Sequence, residues 1–442
     1  HLIVGSGTAK FTGNTTMGAV GFSGNGGTLS ITENNTLTLE KITTANNNTV
    51  TGAGTLRLTG TGSVFGASIA SLGELNVAGG GANFTASANV DKVSFSGGTL
   101  TIGSGAILTV SELTQSGGTF GTISGAGAFR IGVGKADFTT GGNSIGGLYI
   151  GTGVLNVKSN SKAERVSFDS ADGTLNVDGS TLTVSDALIA AGTVNGANGT
   201  LMLENGGQFK KVLSDFGTIK TNTGALTFYE DATVKNVYVG DGSAYFRKGA
   251  SITNALTVGA GKVTFNQNAS IANGASIGGT LDIGSTHLTV SGGLTFADNS
   301  ALHLRLAAKA TDDTGKIVDS NLFGQIIVNS GTVTIGNNVN LDMTIDYGLH
   351  TASDGTEFKL ISGTVDSGSF TFANSRYKLE EVTCSSGSGL CYKLKETSNA
   401  EEIVEDEKGS KNNQNTAAAV LDGGLFDESD KMFAVASHLD AL

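Results

Sequence analysis

Short stretches of alternating apolar and polar residues recur along most of the chain. One of them, residues 97–110, reads GGTLTIGSGAILTV. Leu100 and Ile102 share one side of its first half, and Leu108 and Val110 share one side of its second half. Alternation with a period of two, bounded by Gly and Ser, is typical of half-buried β-strands. The stretch therefore predicts two short strands joined by a glycine turn.

The same motif, a glycine followed by a short alternating run, returns many times, and where copies follow one another closely they lie roughly 18–29 residues apart. Such a period is typical of solenoids, in which each turn buries its core by stacking on its neighbours. Strands of about four to six residues, two or three to a repeat, favour a parallel β-helix over an antiparallel sandwich. Further copies begin at Gly27, Gly54, Gly73, Gly173, Gly199, Gly224, Gly279 and Gly331.

The pattern divides the chain into three predicted regions. Residues 1–305 carry the repeats and should form about 14–17 stacked turns. Residues 306–395 have longer strands and more charge, which predicts a β-rich C-terminal cap over the open strand ladder. Residues 396–442 begin as an acidic linker and then show helical periodicity over 417–421 and 430–442. The predicted fold is thus all-β, a parallel β-helix with a β-rich cap and a short helical tail.

Composition narrows the possible partners. The chain has 442 residues, 67 of them Gly and none Pro, with a formal net charge of −12. Nucleic acid is excluded as an expected partner, because phosphate binding needs a basic surface. No apolar run reaches 18 residues, so no transmembrane helix is predicted. The sequence opens at His1 without a basic signal segment, as expected for a processed chain.

The two cysteines lie close together in sequence. Cys384 and Cys391 flank SSGSGL and could close a small loop at a hairpin. A local disulfide suits an oxidising, extracytoplasmic compartment, whereas two free thiols would suit a cytosolic protein. A metal site would need more ligands than these two residues provide, and no cofactor is predicted.

Three features together resemble the secreted passenger of a Gram-negative autotransporter, the type Va secretion pathway. The first is the repeated G-[GT]-x-L-x-[IV] motif across residues 27–335. The second is GTEFKLISGTVDSGSF at residues 355–370, which is similar to the autochaperone junction of these passengers. The third is NQNTAAAVLD at residues 413–422, which looks like the helix before the outer-membrane translocator barrel. The alternating, lipid-facing strands of such a barrel do not follow in this sequence.

The resemblance implies a right-handed β-helix, a handedness that also fits the general rule for parallel crossovers. It further implies a protein secreted through the outer membrane and exposed at the cell surface, acting as an adhesin or self-association module. Its partner would be an identical passenger on another cell, or a host or matrix glycan or protein. The full-length protein would also contain the translocator barrel.

Catalytic chemistry is not predicted. His287 and His303 alternate with inward leucines and are expected to be ordinary outward strand residues. No G-x-S-x-G nucleophile elbow occurs, and the chain is predicted not to be an enzyme. A polysaccharide-acting enzyme on the same fold and a structural surface spacer are the alternatives, since fold alone decides little about function.

Residues 209–248 hold the most distinctive surface chemistry. Alternation places Tyr229, Tyr238, Tyr245 and Arg247 on the outer side, with Lys248 next to them. Exposed Tyr beside Arg or Lys is a common contact chemistry, so these five residues form the candidate binding patch. A plain solvated surface is the alternative. The residues predicted to point inward are Leu226, Phe228, Val237, Val239, Ala244 and Phe246.

Overall fold

The computed structural model describes residues 1–45, 47–115, 121–306, 323–345, 357–372 and 377–396. The described part of the chain is all-β, with 68% of its residues in strands, and forms a parallel β-solenoid of about 16 turns, which confirms the predicted fold. The predicted helical runs and most of the acidic linker lie outside the described residues. The chain divides into two compact units: unit 1 is His1–Asn254, and unit 2 is Ala255–Leu442.

The first unit consists of short strands separated by tight corners. They are β1 (Leu2–Val4), β2 (Thr8–Phe11), β3 (Thr15–Phe22), β4 (Thr28–Ile31), β5 (Thr36–Thr44), β6 (Thr49–Leu58), β7 (Ser63–Phe65), β8 (Ile69–Val77), β9 (Gly81–Phe84), β10 (Ala88–Phe95), β11 (Thr99–Ile102), β12 (Ile107–Thr114), β13 (Thr122–Phe138), β14 (Asn143–Ile150), β15 (Val154–Val157), β16 (Ser161–Phe168), β17 (Thr174–Val177), β18 (Thr181–Ile189), β19 (Thr193–Asn195), β20 (Thr200–Leu203), β21 (Gly206–Phe209), β22 (Leu213–Thr221), β23 (Ala225–Phe228), β24 (Ala232–Val239), β25 (Ser243–Phe246) and the first part of β26 (Ala250–Val258).

The second unit has the same character over most of its described length. Its strands are the rest of β26, then β27 (Lys262–Phe265), β28 (Ala269–Ile271), β29 (Ala275–Ile277), β30 (Thr280–Gly284), β31 (His287–Ser291), β32 (Leu294–Phe296), β33 (Ala301–Leu306), β34 (Gln325–Ile335), β35 (Val339–Ile345), β36 (Glu357–Ser367), β37 (Phe370–Thr371), β38 (Tyr377–Val382) and β39 (Gly389–Glu396).

Many turns of unit 1 are built from a short strand and a longer strand that bends onto a second side, whereas the turn formed by β27, β28 and β29 in unit 2 has three short strands. The first half of β18 pairs in parallel with β20, and its second half pairs with β21. Corners use residues that tolerate the left-handed region, such as Gly105 (φ 78°) and Asn34 (φ 63°). This arrangement stacks equivalent residues of successive turns in columns.

Inward columns form the core. Leu100, Ile102, Leu108 and Val110 are all at most 1% exposed, as the alternation predicts. The six residues of 226–246 predicted to point inward are also buried. Aromatic rings stack from turn to turn where the column is phenylalanine: the ring centroids of Phe209 and Phe228 are 5.1 Å apart, and those of Phe228 and Phe246 are 4.5 Å apart.

One glycine-rich segment does not form the corner that its composition suggests. Residues 141–147 predict a loop, but β14 begins at Asn143, so Gly146 and Gly147 lie inside a strand. A side chain at Gly146 would overlap the carbonyl oxygen of Ala126 in the preceding turn. Glycine is needed there because the backbones of the two turns approach closely. In the sequence, a glycine of this kind looks the same as a glycine in a turn.

Parallel pairing in unit 2 extends past residue 305. The strands β34 and β36 pair in parallel, as do β35 and β37. The strand β39 pairs antiparallel with β36 and with β38. That residues 306–395 form a cap stays a prediction. The described part of this range contains parallel strands as well as an antiparallel hairpin.

A disulfide joins Cys384 and Cys391 at the end of that hairpin, the pairing that the sequence predicts. Cys391 is fully buried. Closing so short a loop restricts the unfolded chain, so reduction should lower the stability of the β38–β39 hairpin by about 2 kcal/mol. Hydrogen exchange before and after reduction measures this. A Cys384→Ser, Cys391→Ser variant should exchange like the reduced chain, and equal exchange in the oxidised and reduced chains would contradict the prediction.

Candidate functional site

One outward column in unit 1 collects aromatic and polar side chains from successive turns. Neighbouring members are paired residue by residue along β14, β16, β18, β21, β23 and β25. At about 4.8 Å per strand, the five steps of the column span about 24 Å. We call this column the tyrosine face; its residues are Tyr149, Ser167, Leu188, Gln208, Thr227 and Tyr245. Leu188 and Tyr245 are 42% and 38% exposed, which leaves two large side chains open to a partner.

Tyr229 lies at the edge of the tyrosine face, immediately after β23. Its ring is sandwiched between cations of the adjacent turns: the Arg247 guanidinium carbon lies 4.7 Å from the ring centroid, and the Lys210 Nζ lies 5.8 Å from it. Lys210, Tyr229 and Arg247 each come directly after one of the stacked phenylalanines, which are Phe209, Phe228 and Phe246. The inner stack of rings and the outer stack of cations and ring therefore run in parallel, one residue apart. Cation–π contacts of this kind hold the Tyr229 ring in place.

The structure brings only part of the predicted patch together. Tyr229, Tyr245 and Arg247 belong to the strands of the tyrosine face or directly follow them. Tyr238 lies instead on β24, opposite Lys220 of β22, whose Nζ is 4.6 Å from its ring centroid. Lys248 is exposed beside Arg247. Tyr149 was missed, because only the stacking register places a residue so far upstream in the same column.

A groove of about 320 Å³ opens beside Tyr149. Small residues of three successive turns form its floor, including Ala106, Gly127 and Gly147. A side chain at Gly127 would overlap the carbonyl oxygen of Gly103, so the close packing of the turns excludes anything larger than glycine there. A Cβ atom at Gly147 would lie 3.1 Å from Cζ of Tyr149, which shows that the ring tip rests over this glycine.

Charged side chains line the other side of the groove. Arg165 is paired in register with Gly147 on one side and with Asp186 on the other, and Glu164 precedes it. All three charged residues are exposed. None of the three side chains forms an ion pair or hydrogen bond with any residue that the structure describes. Their donors and acceptors are thus open to a ligand.

A second cleft of unit 1, about 490 Å³, follows an asparagine ladder. The amide of Asn156 donates to Asp137 at 2.6 Å, Asn176 donates to Asn156 at 2.7 Å, and Asn195 donates to Asn176 at 3.0 Å. Burial raises the pKa of Asp137, but hydrogen bonds from Asn156, Lys158 and Lys135 outweigh it and hold that pKa below its usual value. These amides already stabilise neighbouring turns, so the ladder is a weaker binding candidate than the groove.

In unit 2, His303 lies on the outer side of its strand, as alternation predicts, and it also makes polar contacts with the turns on either side. Its Nδ1 lies 3.2 Å from Oδ1 of Asp282, and its Nε2 lies 3.2 Å from Oγ1 of Thr344. Asp282 is also bound by Nζ of Lys262 at 2.7 Å. Burial raises the pKa of Asp282, but the hydrogen bonds from Lys262 and His303 outweigh it and hold that pKa below its ordinary value.

This cluster makes the stability of unit 2 depend on pH. Because the Asp282 pKa is lower in the folded than in the unfolded chain, its carboxylate stabilises the fold above about pH 4, and the contribution is lost as the pH falls further. Asp282→Asn should therefore cost about 1–2 kcal/mol at pH 7 and much less at pH 3. Urea unfolding at both pH values measures the difference. Asp342, exposed and paired in register with His303, provides the matched control: Asp342→Asn should change stability little. Equal losses for Asp282→Asn at the two pH values would contradict the assignment.

Comparison with known proteins gives no assignment: no protein family, curated protein or solved structure matches the chain. Among the described residues, no helix has the length and apolar character needed to cross a membrane. Within the same residues, no group of three or more His, Cys, Asp or Glu side chains is placed to hold a metal ion.

Proposed function

We propose that this chain is the surface-exposed or secreted passenger of an autotransporter and acts as an adhesin through the tyrosine face. A β-solenoid of about 16 turns fits such a passenger. The resemblance of residues 355–370 and 413–422 to the autochaperone junction and the linker helix supports the same family. The disulfide between Cys384 and Cys391 suits the extracytoplasmic location that the proposal requires.

The tyrosine face is the observation that carries the adhesive function. Tyr149 and Tyr245 occupy its two ends, and Leu188 adds exposed apolar surface between them. Tyrosine offers a large, rigid ring together with a polar hydroxyl, which suits contact with a glycan or with another protein. A rigid solenoid holds these side chains at the strand spacing, so little conformational entropy is lost when a partner binds.

Display on bacteria tests the proposal. The full chain is fused to a heterologous translocator barrel, and cell–cell aggregation and attachment to host cells or matrix are scored. The variant Tyr149→Ala, Tyr229→Ala, Tyr245→Ala should lose at least about tenfold in adhesion at equal surface level. Tyr238→Ala, which changes a tyrosine outside the tyrosine face, is the matched control and should adhere like the wild type.

The outcomes separate the possible roles. Aggregation between displaying cells identifies an identical passenger as the partner, and attachment to coated surfaces identifies a host or matrix molecule. Full adhesion by the triple variant would contradict the role of the tyrosine face. Absence of aggregation and attachment in the wild type would favour a structural spacer and overturn the proposal.

A further inference from the structure

We infer that the groove beside Tyr149 is a subsite for one pyranose ring of a neutral, hexose-containing glycan. The inference rests on the proposed adhesive function and specifies its partner. It uses the shape of the groove, the position of the Tyr149 ring and the arrangement of the three charged side chains.

The shape of the groove suits a small, flat ligand. Its volume of about 320 Å³ is at the lower end of the range for small-molecule sites. The floor cannot be filled by larger side chains, because a side chain at Gly127 or at Gly146 would overlap a backbone carbonyl oxygen of the turn before it. The depression is therefore a fixed consequence of how these turns stack.

Tyr149 supplies the apolar contact. Its ring tip lies over Gly147, since a Cβ atom there would be 3.1 Å from Cζ and 3.2 Å from Oη. The ring borders the groove and is only partly buried, so one surface remains for a ligand. The C–H face of a pyranose is apolar and flat, and it can pack on an aromatic ring while the sugar hydroxyls point sideways.

The polar side of the groove suits hydroxyl groups. Arg165 offers only donors, whereas Glu164 and Asp186 offer only acceptors when ionised. Each sugar hydroxyl both donates and accepts, so neighbouring hydroxyls can bind the guanidinium and a carboxylate at once. Two carboxylates against one guanidinium leave a net negative site, which disfavours sialylated or sulfated glycans. A neutral glycan is therefore the ligand class that the groove fits best.

A binding experiment with defined glycans tests the subsite. The full chain is applied to an array of neutral oligosaccharides of glucose, galactose and mannose together with sialylated counterparts, and hits are titrated by calorimetry. Tyr149→Ala and Asp186→Asn should each weaken binding to the neutral hits at least about tenfold. Tyr149→Phe keeps the ring and should bind within about threefold of the wild type. Tyr238→Ala should not change the affinity, and far-UV circular dichroism establishes that each variant is folded.

Each result of the glycan-binding experiment either supports or overturns the subsite. Preference for neutral glycans with loss in Tyr149→Ala supports the subsite. Binding of no neutral oligosaccharide, a preference for the sialylated set, or full binding by a folded Tyr149→Ala variant would overturn it. If glycan binding is absent while displayed cells still adhere through the tyrosine face, the adhesive function stands with a protein partner, and only the subsite fails.

Discussion

Phe228→Ala should lower the free energy of unfolding by about 3–5 kcal/mol, among the largest losses expected from one substitution in this chain. Phe228 is fully buried and is the middle ring of the stack that includes Phe209 and Phe246. Removing it loses ring contacts on both sides and leaves a cavity between two turns. The rigid backbone ladder on either side prevents the turns from collapsing into that cavity. Urea unfolding followed by far-UV circular dichroism measures the loss.

Two further substitutions in β23 test whether the loss comes from the missing ring or from any substitution in this strand. Phe228→Leu keeps most of the apolar volume and should lose substantially less stability than alanine. Thr227→Ala changes an outward residue and should stay within about 0.5 kcal/mol of the wild type. A loss below about 1 kcal/mol for Phe228→Ala would show that the ring stack is not a main source of stability.

Gly80→Ala should prevent normal folding of the turns around it or cost more than about 3 kcal/mol. Gly80 precedes β9, and a Cβ atom there would overlap the carbonyl oxygen and carbon of Gly60 in the preceding turn. These are backbone atoms of the corner between β6 and β7, so they cannot rotate away as a flexible side chain could. Expression yield, thermal unfolding and hydrogen exchange in β8 and β9 measure the effect.

Gly13→Ala is the matched control for Gly80→Ala. An added Cβ at Gly13 meets no atom within 4 Å, so this substitution should change stability by less than about 1 kcal/mol. Similar stability of the two variants would contradict the close turn-to-turn packing of the solenoid.

Local alternation was enough to predict the strands and the core. The pattern around Leu100 and Leu108 identifies inward residues because each strand has one buried face. A different rule, that glycine-rich segments form corners, failed at Gly146 and Gly147, where glycine allows close packing of the turns. Composition alone does not distinguish these two uses of glycine.

The proposed binding surface depends on the register between turns, which cannot be read from the sequence. Tyr229 and Tyr245 are close in sequence and can be grouped from the sequence, whereas Tyr149 lies 80 residues before Tyr229. The number of residues per turn varies, so counting along the chain does not place Tyr149, Ser167 and Leu188 in one column. For the same reason, alternation placed His303 on the outer side without revealing that Asp282 lies opposite it.

Binding of a neutral glycan at the Tyr149 end of the tyrosine face is tested most directly by tyrosine footprinting. The full chain is nitrated under limiting conditions, alone and with a saturating amount of the tightest-binding neutral oligosaccharide, and each tyrosine is quantified by mass spectrometry. Tyr149 should be protected at least about threefold, while Tyr238 should be modified equally in both samples. Unchanged modification of Tyr149 at saturation, or stronger protection of Tyr238 than of Tyr149, would contradict the assignment of the binding surface.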